Sequence, residues 1–566
     1  MFFTLHSYKK FSDYLNDKRN FYKIFITLLI FLSLLKLPPI FTTDIQPWDE
    51  GMYASRVLSI EKFGDVLDQT SHSVGKYYSS THPPLLIWIG YLASKVTGLN
   101  AITLKLVTYT FALLCLLFLM KIGTLIHSAE AGFYAAVIFS SNIIFNIFSK
   151  RFQFDIPYTF FVILSFYYFI KYLNEGEKKY IYYTAIAAGL CMLSKLLVGL
   201  LIPIVLFASY LFVKKETKFS LKDFIVVIGI ALLMSAPWYI YLVVNNGSEA
   251  FDYILNFHLY QRAAVGIEQN SKATGVFYFI NYILTIIPFG FLVFYSIVIN
   301  IKNLKKLDWK IKFISLWFII GFGIVTLFKT KLESYSFLFL PPACLLMADL
   351  ILRFKNCTNK EKITILSLTA LNILWYGSEH YRTNLKEFLS GSLVHKLEVV
   401  LLILVFLIIV VFAIRIFISK INLTHLFVSI ILITFAASNV YYLVNVPYWE
   451  NGYKISRIKE IIDKEKDKPI YYIASNYRHN PQLTFYFNGV DLNWGSTVSG
   501  YDFTLLDTKN GVDSVKKNLT MLNRQSFIIV EKDNINRAEY PSSELFIPAN
   551  YVLINKTSGY ELYKNF

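Results

Sequence analysis

Along most of its length this chain returns repeatedly to apolar stretches of about 20 residues, the length a helix needs to cross a bilayer. Spans are predicted near 21–41, 103–127, 131–148, 156–173, 180–194, 196–213, 222–244, 273–300, 311–328, 335–352, 362–378, 398–418 and 424–446, about 13 in all. Inside hydrocarbon every backbone polar group has to be satisfied within the chain, which leaves helices as the solution for runs of this length. Of the 566 residues, 55% are hydrophobic and only 16% charged, against about 25% charged in soluble domains. The predicted fold is therefore mainly α, a polytopic membrane protein. Two shorter segments, 84–98 and 50–63, read as helices lying along the interface.

The charges are unevenly placed. Basic loops fall at 9–23, 171–179, 214–222, 301–312 and 353–363, with a shorter one near Arg415 and Lys420. Alternating through the predicted spans puts them all on one side, the cytoplasmic side by the positive-inside rule. Loops 42–102, 149–155, 245–272, 329–334 and 379–397 then face outward. The net charge of +17 belongs to these loops and to anionic head groups. Nucleic acid is excluded as a partner, since no basic–aromatic motif of that kind occurs. Cys115, Cys191, Cys344 and Cys357 have no metal-ligand spacing and no disulfide is expected. The first apolar run reads as an anchor, because no small-residue cleavage site follows it.

Beyond Val446 the composition changes. A helical stretch, SRIKEIIDKEK, precedes the short β-rich runs PIYYIAS, LTFYFNG, SFIIVEK and YVLINK. The chain thus divides into a membrane domain, 1–448, whose first outward loop is 42–102, and a small soluble α/β domain, 449–566, outside the membrane.

Most of the reactive side chains lie in the outward loops. Asp49 and Glu50 follow the first span; Arg56 and His82 complete that loop, and Asp155 opens span four. His258 and Arg262 precede span eight, Lys331 and Tyr335 stand at another outer boundary, and Lys195 interrupts the apolar stretch GLCMLSKLLVGLLIP. Singly, each has a structural role open to it: carboxylates oppose a helix dipole, Asp155 can cap a helix, and lysines snorkel to an interface. Jointly they gather carboxylates and cations on one membrane face. That mixture suits a lipid phosphate held by its tail, with Arg, Lys and His on the phosphate and a carboxylate taking a proton from an attacking hydroxyl. No nucleotide-binding loop or dinucleotide fingerprint occurs.

Seven segments in order, WDEGMYA, THPPLLIW, RFQFDIPYTFF, GLCMLSKLLVGLLIP, SAPWYIYL, FHLYQRAAVG and TKLESYSFLFLPP, resemble the motifs of the GT-C glycosyltransferases, in the group of the protein mannosyltransferases and the aminoarabinose transferase ArnT. The resemblance covers about residues 20–350. It implies a polyprenyl-phosphate sugar donor and an inverting, single-displacement transfer. It further implies Asp49 as general base, Glu50 orienting the acceptor or a metal, and Asp155 as the second acid of the site. Lys195 would pair with Asp49, and Arg262 with His82, His258, Tyr335 and Lys331 would bind the donor phosphate. No cofactor is implied for certain; a divalent metal is compatible with these acids and histidines.

Three positions depart from the pattern. His82 stands where bacterial members have Lys, and its titration near neutrality predicts pH-sensitive phosphate binding. Leu196 replaces the Gly after the lysine, and Glu333 the Pro after Lys331-Leu332. No β-trefoil insertion of the fungal and animal kind is present, which points to a bacterial member with a lipid or envelope-glycan acceptor, lipid A among the candidates. A transporter or flippase, or a polymerase or ligase, of lipid-linked saccharides is the alternative.

Overall fold

The protein is described from a computed structural model covering residues 5–213, 216–266, 277–283, 286, 289–390, 423–450 and 454–565, apart from 475–480, 490–499, 509–510, 521–524, 533–545 and 558. It is mainly helical with a small C-terminal sheet, as predicted. In chain order the helices are α1 (Leu5–Asn16), α2 (Phe21–Thr42), α3 (Asp49–Phe63), α4 (Tyr77–Ser80), α5 (Leu85–Thr97), α6 (Ala101–Ile126), α7 (Ala129–Ser141), α8 (Ile143–Phe148) and α9 (Asp155–Glu175). Then follow α10 (Lys179–Met192), α11 (Leu196–Gly199), α12 (Leu201–Val213), α13 (Leu221–Asp252), α14 (Gly290–Lys302), α15 (Trp309–Leu327), α16 (Leu340–Arg353), α17 (Asn359–Ser390) and α18 (Leu423–Glu450).

Among the described residues, six helical stretches are long and apolar enough to cross a membrane by length and composition. Elsewhere the predicted pattern is interrupted by identifiable residues, while the spans near 362–378 and 424–446 run unbroken inside α17 and α18. The span near 131–148 divides at Asn142, whose side chain caps α8 by accepting from Ile144 N at 2.9 Å. The spans near 180–194 and 196–213 part at Lys195, which is extended (φ −159°, ψ 107°) between α10 and α11. The predicted loop 245–272 is helical as far as Val265: α13 kinks at Gly247 (φ 68°, ψ −151°) and continues as a π-helix, Tyr253–Val265. The predicted span 335–352 starts as a 3₁₀ turn, Glu333–Leu338, before α16. The predicted span 398–418, the basic residues near 415 and 420, and parts of 273–300 lie outside the described residues.

The C-terminal domain opens with α19 (Ile455–Ile462) and includes α20 (Gln482–Tyr486) and α21 (Val512–Thr520). Its sheet comprises β1 (Ile470–Ala474), β2 (Phe503–Asp507), β3 (Phe527–Glu531), β4 (Tyr551–Lys556) and β5 (Tyr560–Asn565), in the order β2-β1-β3-β5-β4. β1 pairs parallel with both β2 and β3, while β5 runs antiparallel to β3 and β4. All residues of β1 and β3 are buried, as a strand covered on both faces requires. LTFYFNG, read as β-rich, is instead the short helix α20, with Gln482–Phe485 buried. Its side chains pack against α3 and the sheet at once, and this docking overrides strand propensity.

That docking changes the status of α3. The sequence reading places 50–63 on the interface, but Glu50 through Ile60 are all buried, because α20 covers the face that would meet solvent. The contact is close: a Cβ at Gly51 would lie 2.4 Å from Gln482 N and 2.9 Å from Pro481 Cγ. Ser55 Oγ donates to Pro481 O at 3.1 Å and Lys62 Nζ to Asn488 O. Upstream of α3, the Asp44 carboxylate accepts from Ser456 N (2.7 Å) and Ser456 Oγ (2.9 Å), and Ile45 N donates to the Tyr486 hydroxyl at 3.0 Å.

Candidate active site

Asp49 is the first residue of α3, half-buried, where a carboxylate is favoured by the helix dipole. The turn before it is strained: Trp48 has φ 63° and ψ −130°, a region that costs a non-glycine residue about 1–3 kcal/mol. Glu50 is fully buried and holds the turn. Its Oε2 accepts from Gln46 N at 2.7 Å, and its Oε1 accepts from Phe152 N at 2.8 Å. The acid expected to orient acceptor or metal thus joins the first loop to the second through their backbones. Arg56, one helix face further on, is equally buried; it donates to Ser79 O, His82 O and Gln69 Oε1 at 2.8–3.1 Å. Burial lowers its guanidinium to about 10, so it stays charged and fixes the path of the loop to His82.

The second loop delivers Asp155, the first residue of α9 and only 3% exposed. Its Oδ1 lies 3.5 Å from Lys195 Nζ. The lysine therefore pairs with Asp155, and the pairing with Asp49 implied by the resemblance is corrected. The cause is the break between α10 and α11. α10 stops at Met192, Leu85 N takes the freed Leu193 carbonyl at 3.2 Å, and the extended Lys195 reaches sideways to α9. Its ammonium also lies over the rings of Tyr158 and Tyr335, 5.4 and 5.6 Å from their centroids.

Between these elements opens a cleft lined by His82, Lys195, His258, Arg262 and Tyr335, with apolar walls from Leu196, Ile254 and Leu259. Five of the predicted site residues converge here. The π-helix presents Ile254, His258 and Arg262 to one side, a spacing of four that suits its wider turn. The rings of His82 and His258 are 4.4 Å apart, and Thr81 Oγ1 meets His258 Nε2 at 2.8 Å. Burial, and then the charges of His258, Arg262, Lys195 and Arg56, hold His82 well below the usual histidine range. The expectation that His82 titrates near neutrality is thereby corrected: it is neutral at pH 7 in the unliganded site, and an anion between the cations would reverse that balance.

Lys331 lies elsewhere. It is 3% exposed and donates to Val325 O (3.1 Å), Thr326 O (2.6 Å) and Phe328 O, capping the C-terminus of α15. Its three donors are engaged, so the phosphate role implied for it does not fit its position. The loop reaches the cleft through its backbone instead, Lys329 N and Thr330 N donating to Ala263 O and Arg262 O at 3.0 Å.

One residue quoted in the first motif had no role assigned. Tyr53 follows Asp49 by one turn, on the same helix face. It is 3% exposed, with its ring 4.3 Å from Phe154 and 5.7 Å from His82. Burial, then the charges of Asp49 and Asp155, push its phenol well above the usual range, with Arg262 opposing. A neutral hydroxyl therefore sits where the fields of both carboxylates and the arginine overlap. Among the described residues no group of three or more His, Cys, Asp or Glu is placed to hold a metal ion.

Residues 81–241 match the family model described as dolichyl-phosphate-mannose-protein mannosyltransferase. That stretch includes His82, Asp155 and Lys195; Asp49, His258, Arg262 and Tyr335 lie beyond it. An uncharacterized protein of Aquifex aeolicus is 23% identical over 328 residues, 57% of this chain, and the match spans 62% of that protein's length. The crystal structure of ArnT from Cupriavidus metallidurans bound to undecaprenyl phosphate superposes with a TM-score of 0.67 at 13% identity, covering 96% of this chain and 98% of that one. The apo form of the same protein gives 0.68. An oligosaccharyltransferase of Archaeoglobus fulgidus gives 0.50 at 12% identity, covering 91% of this chain and 70% of that one. The chain has the GT-C fold of ArnT, and over residues 81–241 it carries the sequence pattern of the protein mannosyltransferases.

Proposed function

We propose that this protein is a membrane glycosyltransferase that moves a sugar from a polyprenyl phosphate, undecaprenyl phosphate in a bacterial envelope, to a lipid or envelope-glycan acceptor on the periplasmic face. The observation that carries this reading is the cleft, where His82, Lys195, His258, Arg262 and Tyr335 converge beside Asp155. Such a set of donors suits a lipid phosphate, whose tail would run along the apolar walls. It is also placed to stabilise charge as the phosphate departs.

In this mechanism Asp49 takes the proton from an acceptor hydroxyl. The acceptor oxygen attacks the anomeric carbon from the face opposite the phosphate. The bond from that carbon to the phosphate oxygen breaks, the configuration inverts, and the polyprenyl phosphate leaves into the cationic cleft. Asp155 holds Lys195 in place through their ion pair, and the Tyr53 hydroxyl donates between the reacting groups. Lipid A is among the acceptors that such a site would take.

The test is mass spectrometry of lipids and envelope glycans from cells with the wild-type protein, without it, or with Asp49→Asn. Loss of one sugar from one glycan in both altered strains is the expected result, and it would name donor and acceptor. Retained transfer by a well-expressed Asp49→Asn variant sinks the base assignment. A lipid-linked saccharide accumulating unchanged on the inner leaflet would point to transport instead.

A further inference from the structure

The cleft and the carboxylate helix are built differently. Among the described residues, the cations lining the cleft belong to the membrane domain. The helix that starts at Asp49 is gripped on both sides by the C-terminal domain. Before it, Asp44 receives two hydrogen bonds from Ser456 and Ile45 N donates to Tyr486. Within it, Gly51 lies so close to Gln482 that a Cβ would be 2.4 Å from a backbone nitrogen, and Ser55 donates to Pro481. Beyond it, Lys62 donates to Asn488. Between the first two grips stands Trp48 with its strained backbone; such a conformation persists only where its surroundings over-determine it.

We propose that the C-terminal domain is part of the catalytic apparatus, a clamp that fixes Asp49 against the acceptor hydroxyl, with Gly51 and Ser456 as its positioning residues. This rests on the glycosyltransferase reading and deepens it. The domain touches the turn and helix that carry the base, while the cleft-lining residues among those described belong to the membrane domain. Weakening the grip therefore lowers turnover and leaves phosphate binding alone. A displacement of about 1 Å at a reacting group costs on the order of a hundredfold in rate.

The test uses the full-length protein in lipid nanodiscs and in cells lacking the native copy. Gly51→Ala, Ser456→Ala and Ser456→Thr are compared with wild type and Asp49→Asn. Transfer is read as return of the missing envelope sugar, binding with undecaprenyl phosphate alone, and docking by limited proteolysis of residues 454–565. Gly51→Ala is expected to expose the domain to protease and reduce transfer tenfold or more, with undecaprenyl phosphate affinity within twofold of wild type. Ser456→Ala reduces transfer severalfold and Ser456→Thr, which keeps the hydroxyl, restores it. The proposal is overturned if Gly51→Ala loosens the domain but transfers normally, if it leaves proteolysis unchanged, or if transfer and phosphate affinity fall together. Full transfer by Asp49→Asn would instead overturn the base assignment, with the docking measurements still standing.

Discussion

A phenol held neutral between two carboxylates and an arginine has one useful property, a hydroxyl hydrogen to give. If Tyr53 donates it to a group that gains charge during transfer, the bond contributes about 1.5–3 kcal/mol. Tyr53→Phe keeps the ring against Phe154 and His82 and should lower transfer about ten- to a hundredfold; a variant at wild-type rate would remove Tyr53 from the chemistry. Lys331 makes the opposite prediction. Lys331→Met should cost about 1.5–3 kcal/mol of stability, the range for bonds from a charged donor, and leave undecaprenyl phosphate affinity unchanged, as calorimetry and binding would show. His82 sets a pH dependence. Its pKa is held below the ordinary 6.5, so between the two values the unfolded chain binds more protons than the native one and stability rises with pH. Acidifying from pH 7.5 to 5.5 should lower the thermal midpoint of wild type more than that of His82→Gln. The identities of these residues were legible as chemistry in sequence, their roles less so. A buried lysine on three carbonyls and one on a phosphate look alike in a string of letters, and Tyr53 is legible only as the tyrosine of WDEGMYA, with no sign of the groups it meets.

Helix breaks organise the site at the scale of elements. The lysine interrupting an apolar run announced the break between α10 and α11, because a charge inside a span is costly unless it lines a polar space. What it pairs with was not legible, since α9 is brought to it only by packing. The break depends on Gly199, where a Cβ would lie 2.5 Å from Met192 Cγ and 2.9 Å from its Cα. Gly199→Ala should force α10 and α11 apart at a cost of about 1–3 kcal/mol. It should weaken undecaprenyl phosphate binding by moving Lys195 off Asp155; unchanged binding would show that the break tolerates the methyl group. The π-helix was invisible to hydropathy, which registers only that the α13 region is apolar and long. LTFYFNG failed for a related reason: its aromatic residues suit a strand, and its helix exists because α3 is there to receive it.

On the scale of the whole molecule, the mainly helical fold follows from apolar runs that any bilayer would select, and most of it was legible for that reason. The meeting of the two domains was not, because it rests on single contacts between residues far apart in the chain, such as Asp44 with Ser456. These contacts also order events in time. The first loop leaves the ribosome early, and Ser456, which seats its carboxylate helix, follows Asp44 by 412 residues. Under the proposed clamp, a chain still being synthesised would hold its cations in place but have no seated Asp49, and so would stay catalytically silent until the C-terminal domain has folded against α3. A chain stopped after Glu450 should insert, bind undecaprenyl phosphate and transfer nothing; transfer by such a truncated chain would show that the helix seats itself.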